Sequence, residues 1–267
     1  LKGWRRMPRS RSRRGTRRLF DRWAQVAERL RAAKHLALFL DFDGTLVPLH
    51  PRPEDVWLGD SARQVLRRLA RHPRLTVCIV SGRRLKDVRR RAGVRGARYL
   101  GLHGWERDDK PSCATGAQEL LRCAKRLLAQ CLAGLEGLRV EDKGFTFAVH
   151  YRGATLGTVR RARAIVHEAL KPFTPPLRVL EGKKVWEVLP SDVEGKGAAV
   201  RRLLGELPGD PLPLYLGDDA TDESAFAALR HGVTVRVGNP RRTKARFCLR
   251  DPKEVITFLQ KLEAEIA

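Results

Sequence analysis

Asp41 and Asp43 stand two apart in LFLDFDGTL, with Gly44 and Thr45 directly behind them. Carboxylate oxygens are hard ligands suited to Mg²⁺, and a carboxylate can also act as a nucleophile or carry a proton. A second acidic group, Asp218, Asp219 and Asp222 in GDDATDE, could close on the same ion from the opposite side. Gathering so many acids is electrostatically costly unless a cation or protons offset them. Ser81-Gly82-Arg83 offers a hydroxyl and free backbone N–H groups, the makings of a phosphate cradle. Lys196 in EGKGAAV offers an ammonium that could hold nucleophile and phosphate oxygens together. Taken singly, an Asp in a turn, an SGR tripeptide or a first-turn Lys serves equally to cap a helix or to face solvent. Neither a P-loop nor a GxGxxG fingerprint is present.

Each acidic group and the SGR tripeptide follow a short apolar run that does not alternate. LALFL precedes DFDG, LTVCIV precedes SGR, ARYLGL precedes HG, and LPLYL precedes GDD. Helical patterns lie between several of these runs, notably at 60–71 and 195–206. Such a sequence predicts an α/β fold, a doubly wound parallel sheet in which the loops at the carboxyl ends of the strands build the site. Between about 108 and 190 the rhythm changes. A helix over 117–133, a strand FTFAVHYR, a helix near 155–170 and strands LRVLEG and KKVWEVLP suggest a small α+β unit with two helices on one face. The expected organisation is a disordered basic tail over 1–18, a core formed by 19–107 and 191–267, and an inserted lid over 108–190.

The formal net charge is +24, of which nine charges fall in residues 1–18. The rest is spread over helical surfaces such as ARQVLRRLARHPR and is not clustered with aromatics, so nucleic acid is not the expected partner. No apolar run reaches 18 residues, and no membrane span is predicted. The amphipathic stretch after the basic start is unlike a signal peptide, so a cytoplasmic protein is expected. Five cysteines form neither a CxxC pair nor a zinc spacing.

In order and placement these motifs resemble the haloacid dehalogenase superfamily of phosphohydrolases, and within it the trehalose-6-phosphate phosphatase family. LFLDFDGTL, IVSGR, GLHGWERDD, VEDKGFTFAVHYR with EGKKVWEV, and KGAAV with YLGDDATDESAF carry the resemblance over roughly 35–260. It implies that Asp41 attacks phosphorus and becomes an aspartyl-phosphate, while Asp43 serves as acid and then as base. Mg²⁺ would be held by Asp41, the carbonyl of Asp43, and Asp218, with Asp219 and Asp222 close by. Ser81, Gly82 and Lys196 would bind the phosphoryl oxygens. In the lid, Glu141, Lys143, Arg152, Lys183 and Glu187 would face the sugar. Residues two or four apart on a strand share a face, so Glu141 with Lys143 and Lys183 with Glu187 can point together. His103 and His150 are further candidates for the site.

The resemblance further implies a monomer acting on a small sugar phosphate, with trehalose-6-phosphate synthase as a partner. Arg83 and Arg84 crowd the helix start that follows Ser81, and the resemblance gives Arg83 no role. Two rival readings remain at this level. One is a phosphatase for another sugar phosphate, such as sucrose phosphate or a glycosyl-phosphoglycerate. The other is a non-catalytic basic binding module.

Overall fold

A computed structural model describes residues 16–107, 110–111, 115–174, 176–182, 184–193, 195–240 and 242–267. In chain order the strands are β1 (Arg17–Arg18), β2 (Leu36–Asp41), β3 (Leu75–Val80), β4 (Arg98–Gly101), β5 (Glu106–Arg107) and β6 (Lys110–Pro111). There follow β7 (Arg139–Asp142), β8 (Phe147–His150), β9 (Leu177–Gly182), β10 (Val185–Pro190), β11 (Leu212–Gly217), β12 (Val233–Val237) and β13 (Phe247–Leu249). The helices are α1 (Trp23–Ala32), α2 (Asp60–Leu69), α3 (Leu85–Ala92), α4 (Thr115–Cys131), α5 (Leu156–Leu170), α6 (Lys196–Glu206), α7 (Glu223–Ala228) and α8 (Pro252–Ile266).

The larger sheet runs β1-β13-β12-β11-β2-β3-β4-β5-β6. It is parallel from β1 to β4, and β5 and β6 fold back antiparallel. β2 shows why its sequence does not alternate. Leu36, Leu38 and Leu40 pack with Leu30, Leu66 and Leu259 of α1, α2 and α8. Ala37 and Phe39 pack on the other face with Val200, Leu203 and Phe226 of α6 and α7. A strand covered on both faces must be apolar throughout, and each large side chain so buried contributes about 1.5–3 kcal/mol. β3 and β11 flank β2 and continue the chain in opposite directions along the sheet. Such a reversal opens a crevice at the carboxyl ends of the strands, where β2 delivers Asp41.

The smaller sheet, β7-β8-β10-β9, is antiparallel throughout. Phe147 and Val149 of β8 and Trp186 and Val188 of β10 pack against Leu121 and Leu128 of α4 and Ala162 and Val166 of α5. Alternation turns the intervening residues to the other face. There Glu141, Ala148 and Glu187 lie in register across β7, β8 and β10. The small Ala148 leaves room between the two carboxylates.

Two boundaries differ from expectation. Residues 1–15 lie outside the described part, but Arg17 and Arg18, assigned to the tail, form β1 and pair with Phe247 and Cys248. An edge strand is held by backbone bonds that leave no apolar signature, and here Arg18 also donates to Glu254 at 2.8 Å. Lys110–Pro111, assigned to the lid, pairs with β5 in the larger sheet. The expected strands also omit β7, β12 and β13: RVED carries a single apolar residue, FCL is only three residues long, and the alternation of VTVRV is confined to its own short strand. Among the described residues no helix is long and apolar enough to cross a membrane.

Candidate active site

The carboxyl ends of β2 and β11 and the first turn of α6 meet in a buried ionic cluster. Lys196 donates from Nζ to Asp41 Oδ1 at 2.7 Å and to Asp222 Oδ1 at 2.8 Å. Asp222 also accepts from the Tyr215 hydroxyl and, through Oδ2, from the Asp219 backbone N–H, each at 2.8 Å. Asp41, Asp218 and Asp222 each present an oxygen within 4.8 Å of the others. All three are buried, and so is Lys196.

Backbone geometry makes this cluster possible. Gly44 has φ +88°, and a methyl there would overlap the Asp218 carboxylate. Only glycine provides both the left-handed turn and the space. The electrostatics follow from burial. Burial pushes the Asp41 carboxyl well above the usual carboxylate range; Lys196 opposes this, while Asp222 and Asp218 add to it. For Lys196, burial disfavours the ammonium, but Asp222 and Asp41 override it and raise its pKa beyond the ordinary lysine range.

The Asp43 carboxylate lies outside this cluster and is gripped by Arg83, Nε to Oδ2 and Nη2 to Oδ1, each at 2.7 Å. Ser81 is buried, and its Oγ accepts from the Arg83 backbone N–H at 3.1 Å. Leu102 and His103 both adopt positive φ, 46° and 59°, a conformation that costs non-glycine residues about 1–3 kcal/mol each. Backbone bonds from Leu102 N–H to Arg83 O at 2.8 Å and from His103 N–H to Ser81 O at 2.9 Å hold them there.

The smaller sheet closes over these groups. Glu187 is buried and bonded to His103 Nε2 at 2.6 Å, Lys143 Nζ at 3.0 Å and Thr146 Oγ1 at 3.1 Å. Lys143 also donates to the Gly82 carbonyl at 3.1 Å. Burial alone would raise the Glu187 carboxyl, yet Lys143 and His103 hold it well below the usual range. Glu141 is bonded to His150 at 2.6 Å, and that bond lowers its carboxyl pKa against the effect of burial, with help from Lys143.

A cavity of about 340 Å³ lies between the two sheets. Asp41, Asp43, Ser81, Gly82, Lys196, Asp218 and Asp219 line it from the larger sheet, and Glu141, Lys143, Arg152 and Glu187 from the smaller one. Arg152 reaches the His50 carbonyl at 3.4 Å. Of the remaining sequence-predicted residues, Asp222 is buried under Lys196, and Lys183 lies outside the described residues. Sequence reasoning gave no role to Arg83, Tyr215 or Thr146 and left His103 open. The position of Arg83 after Ser81-Gly82 was visible, but the acid it meets depends on how β2 and β3 pair.

Comparisons with known proteins identify the family. The chain matches the trehalose-phosphatase family model over residues 39–253. It is 36% identical over 249 residues to a trehalose-phosphate phosphatase of Mycobacterium bovis, a match covering 88% of this chain and 63% of that relative. The chain therefore spans less than two thirds of that relative's length. Among solved structures, the C-terminal domain of C. albicans trehalose-6-phosphate phosphatase superposes with a TM-score of 0.83 at 22% identity, covering 95% of this chain and 99% of that one. At that identity the likeness is one of fold. Aspergillus fumigatus trehalose-6-phosphate phosphatase gives a TM-score of 0.65 at 28% identity, with 94% and 99% covered. The family match begins inside the strand that carries Asp41 and ends beyond every acid of the cluster, so the chain belongs to the trehalose-phosphatase family.

Proposed function

We propose that this chain hydrolyses trehalose 6-phosphate to trehalose and phosphate through an aspartyl-phosphate on Asp41, with Mg²⁺ as cofactor. The observation that carries this reading is the placement of Asp41. It ends a rigid central strand, bonded to a buried ammonium, at the floor of a cavity whose opposite wall is charged and polar.

The residues fit a divalent cation. Three buried carboxylates face one ammonium, which leaves surplus negative charge, and the donors are all oxygens, as Mg²⁺ prefers. Asp41, Asp218 and the Asp43 carbonyl would hold it. Asp222 suits a supporting role, because its oxygens already accept from Lys196, Tyr215 and the Asp219 backbone. When bound, the cation supplies positive charge that keeps Asp41 ionised and offsets charge on the phosphoryl oxygens.

The chain's own groups then divide the work. Asp41 forms a bond to phosphorus as the bond to the sugar oxygen breaks, and Asp43 delivers a proton to that oxygen. In the second half Asp43 takes a proton from water as the water oxygen attacks phosphorus and frees Asp41. Lys196, Ser81 and the Gly82 backbone orient the phosphoryl group. Glu141, Lys143, Arg152, Lys183 and Glu187 meet the sugar hydroxyls, to which charged groups give strong directional hydrogen bonds. In this reading the unit from α4 to β10 is a lid that shuts out water when both halves of the substrate are held.

A panel of sugar phosphates, assayed for phosphate release with and without Mg²⁺, tests this function. Turnover confined to trehalose 6-phosphate and lost on chelation is expected. Turnover of sucrose phosphate or a glycosyl-phosphoglycerate instead would overturn the roles given to the lid residues. No release from any of them would overturn the enzyme reading.

A further inference from the structure

Asp43 follows the end of β2 on a loop, its side chain about one third exposed. Unrestrained, such a carboxylate samples several rotamers, and only some aim it at a bound substrate. Arg83 removes that freedom. Its Nε and Nη2 reach different oxygens of Asp43, both at 2.7 Å, the two-pronged geometry that fixes the plane of a carboxylate.

Arg83 is itself held. Its side chain is 11% exposed, its guanidinium lies 5.7 Å from the centre of the Phe42 ring, and Nη1 donates to Asp87 Oδ2 at 3.1 Å. Asp87 in turn receives Arg91 Nε on both oxygens, at 2.7 and 2.8 Å. Arg91 is buried and anchors through Nη1 to the carbonyls of Glu54 and Val56, at 2.7 and 2.8 Å. The line Asp43–Arg83–Asp87–Arg91 thus ends in the backbone ahead of α2. An ordinary surface ion pair has no such support and contributes little.

We propose that Arg83 is the positioning residue for Asp43: its fork fixes the carboxylate at the cavity edge in the orientation from which a proton passes to the departing sugar oxygen. This role rests on the phosphatase reading above. Each carboxylate oxygen has two lone pairs, so one fork N–H per oxygen leaves the other available to the proton. In the first half-reaction the Asp43 O–H bond breaks as the sugar oxygen gains that proton and parts from phosphorus. In the second, the water O–H bond breaks as Asp43 regains a proton.

Leaving-group dependence tests this. A sugar alkoxide needs its proton as the bond to phosphorus breaks, whereas p-nitrophenolate leaves without one. Single-turnover release of the leaving group from trehalose 6-phosphate and from p-nitrophenyl phosphate is compared in wild type, Arg83→Ala and Arg83→Lys, with a thermal melt of each. Arg83→Ala is expected to slow release from the sugar phosphate about 100-fold, within the range of general-acid effects, and from the aryl phosphate less than tenfold, with substrate affinity little changed. Arg83→Lys keeps the charge between Asp43 and Asp87 but not the fork. It is expected to lose about tenfold on the sugar phosphate alone, and it carries the test if Arg83→Ala melts below the assay temperature. Equal loss on both substrates, or loss on neither, with wild type active, overturns the role of Arg83 and leaves the phosphatase reading standing. An idle wild type overturns the phosphatase reading itself.

Discussion

Glu187 Oε2 lies 2.6 Å from His103 Nε2, with both side chains 6% exposed, so a buried hydrogen bond joins the smaller sheet to the rim of the larger one. The same carboxylate accepts from Lys143, whose ammonium also reaches the Gly82 carbonyl beside Ser81. The smaller sheet and the loop that follows β3 are therefore mechanically coupled.

That coupling gives Glu187 two measurable roles. Removing it leaves His103 buried and Lys143 part-buried without their carboxylate partner, and Glu187→Ala should cost about 3–5 kcal/mol of stability. Its carboxyl is held low in the fold, so its stabilisation is complete above the unfolded value of about 4.3 and fades as pH falls below that. Urea unfolding between pH 7 and pH 3 should show wild type losing stability below about pH 4 more steeply than Glu187→Gln. In turnover, Glu187→Ala should impair trehalose 6-phosphate far more than a small aryl phosphate, which has no sugar to contact. Equal losses on both would make the residue structural only.

The motifs on the larger sheet were legible because each stands where an apolar run stops. A fully buried strand that ends in Asp41-Phe42-Asp43 announces its site directly. The cluster's partners were less so. That Lys196 meets both Asp41 and Asp222 follows from α6 and β11 closing on β2, a pairing that no local pattern encodes. Arg83 stood in plain view beside Ser81 but met its acid across 40 residues of chain. Leu102 and His103 hold a strained backbone whose cost is offset by bonds to Arg83 and Ser81 respectively, and GLHG does not reveal it. Short edge strands such as β1 carry no apolar signal at all.

Three acids around one ammonium predict a response to cations. Mg²⁺ should raise the melting temperature of the wild type, by an amount equivalent to about 2.7 kcal/mol at a concentration one hundred times its dissociation constant. Asp218→Asn keeps the shape of the side chain and removes one charge, and its melting temperature should respond far less. A wild type indifferent to Mg²⁺ would show that Lys196 alone balances the cluster.

The central claim is that Asp41 carries the phosphoryl group. Rapid acid quench of a single turnover with radiolabelled trehalose 6-phosphate, followed by peptide mapping, tests it most directly. Label should appear transiently on the peptide containing residues 36–49 and be absent from Asp41→Asn. Label on another residue, or phosphate release by wild type with the chain never labelled, would contradict it.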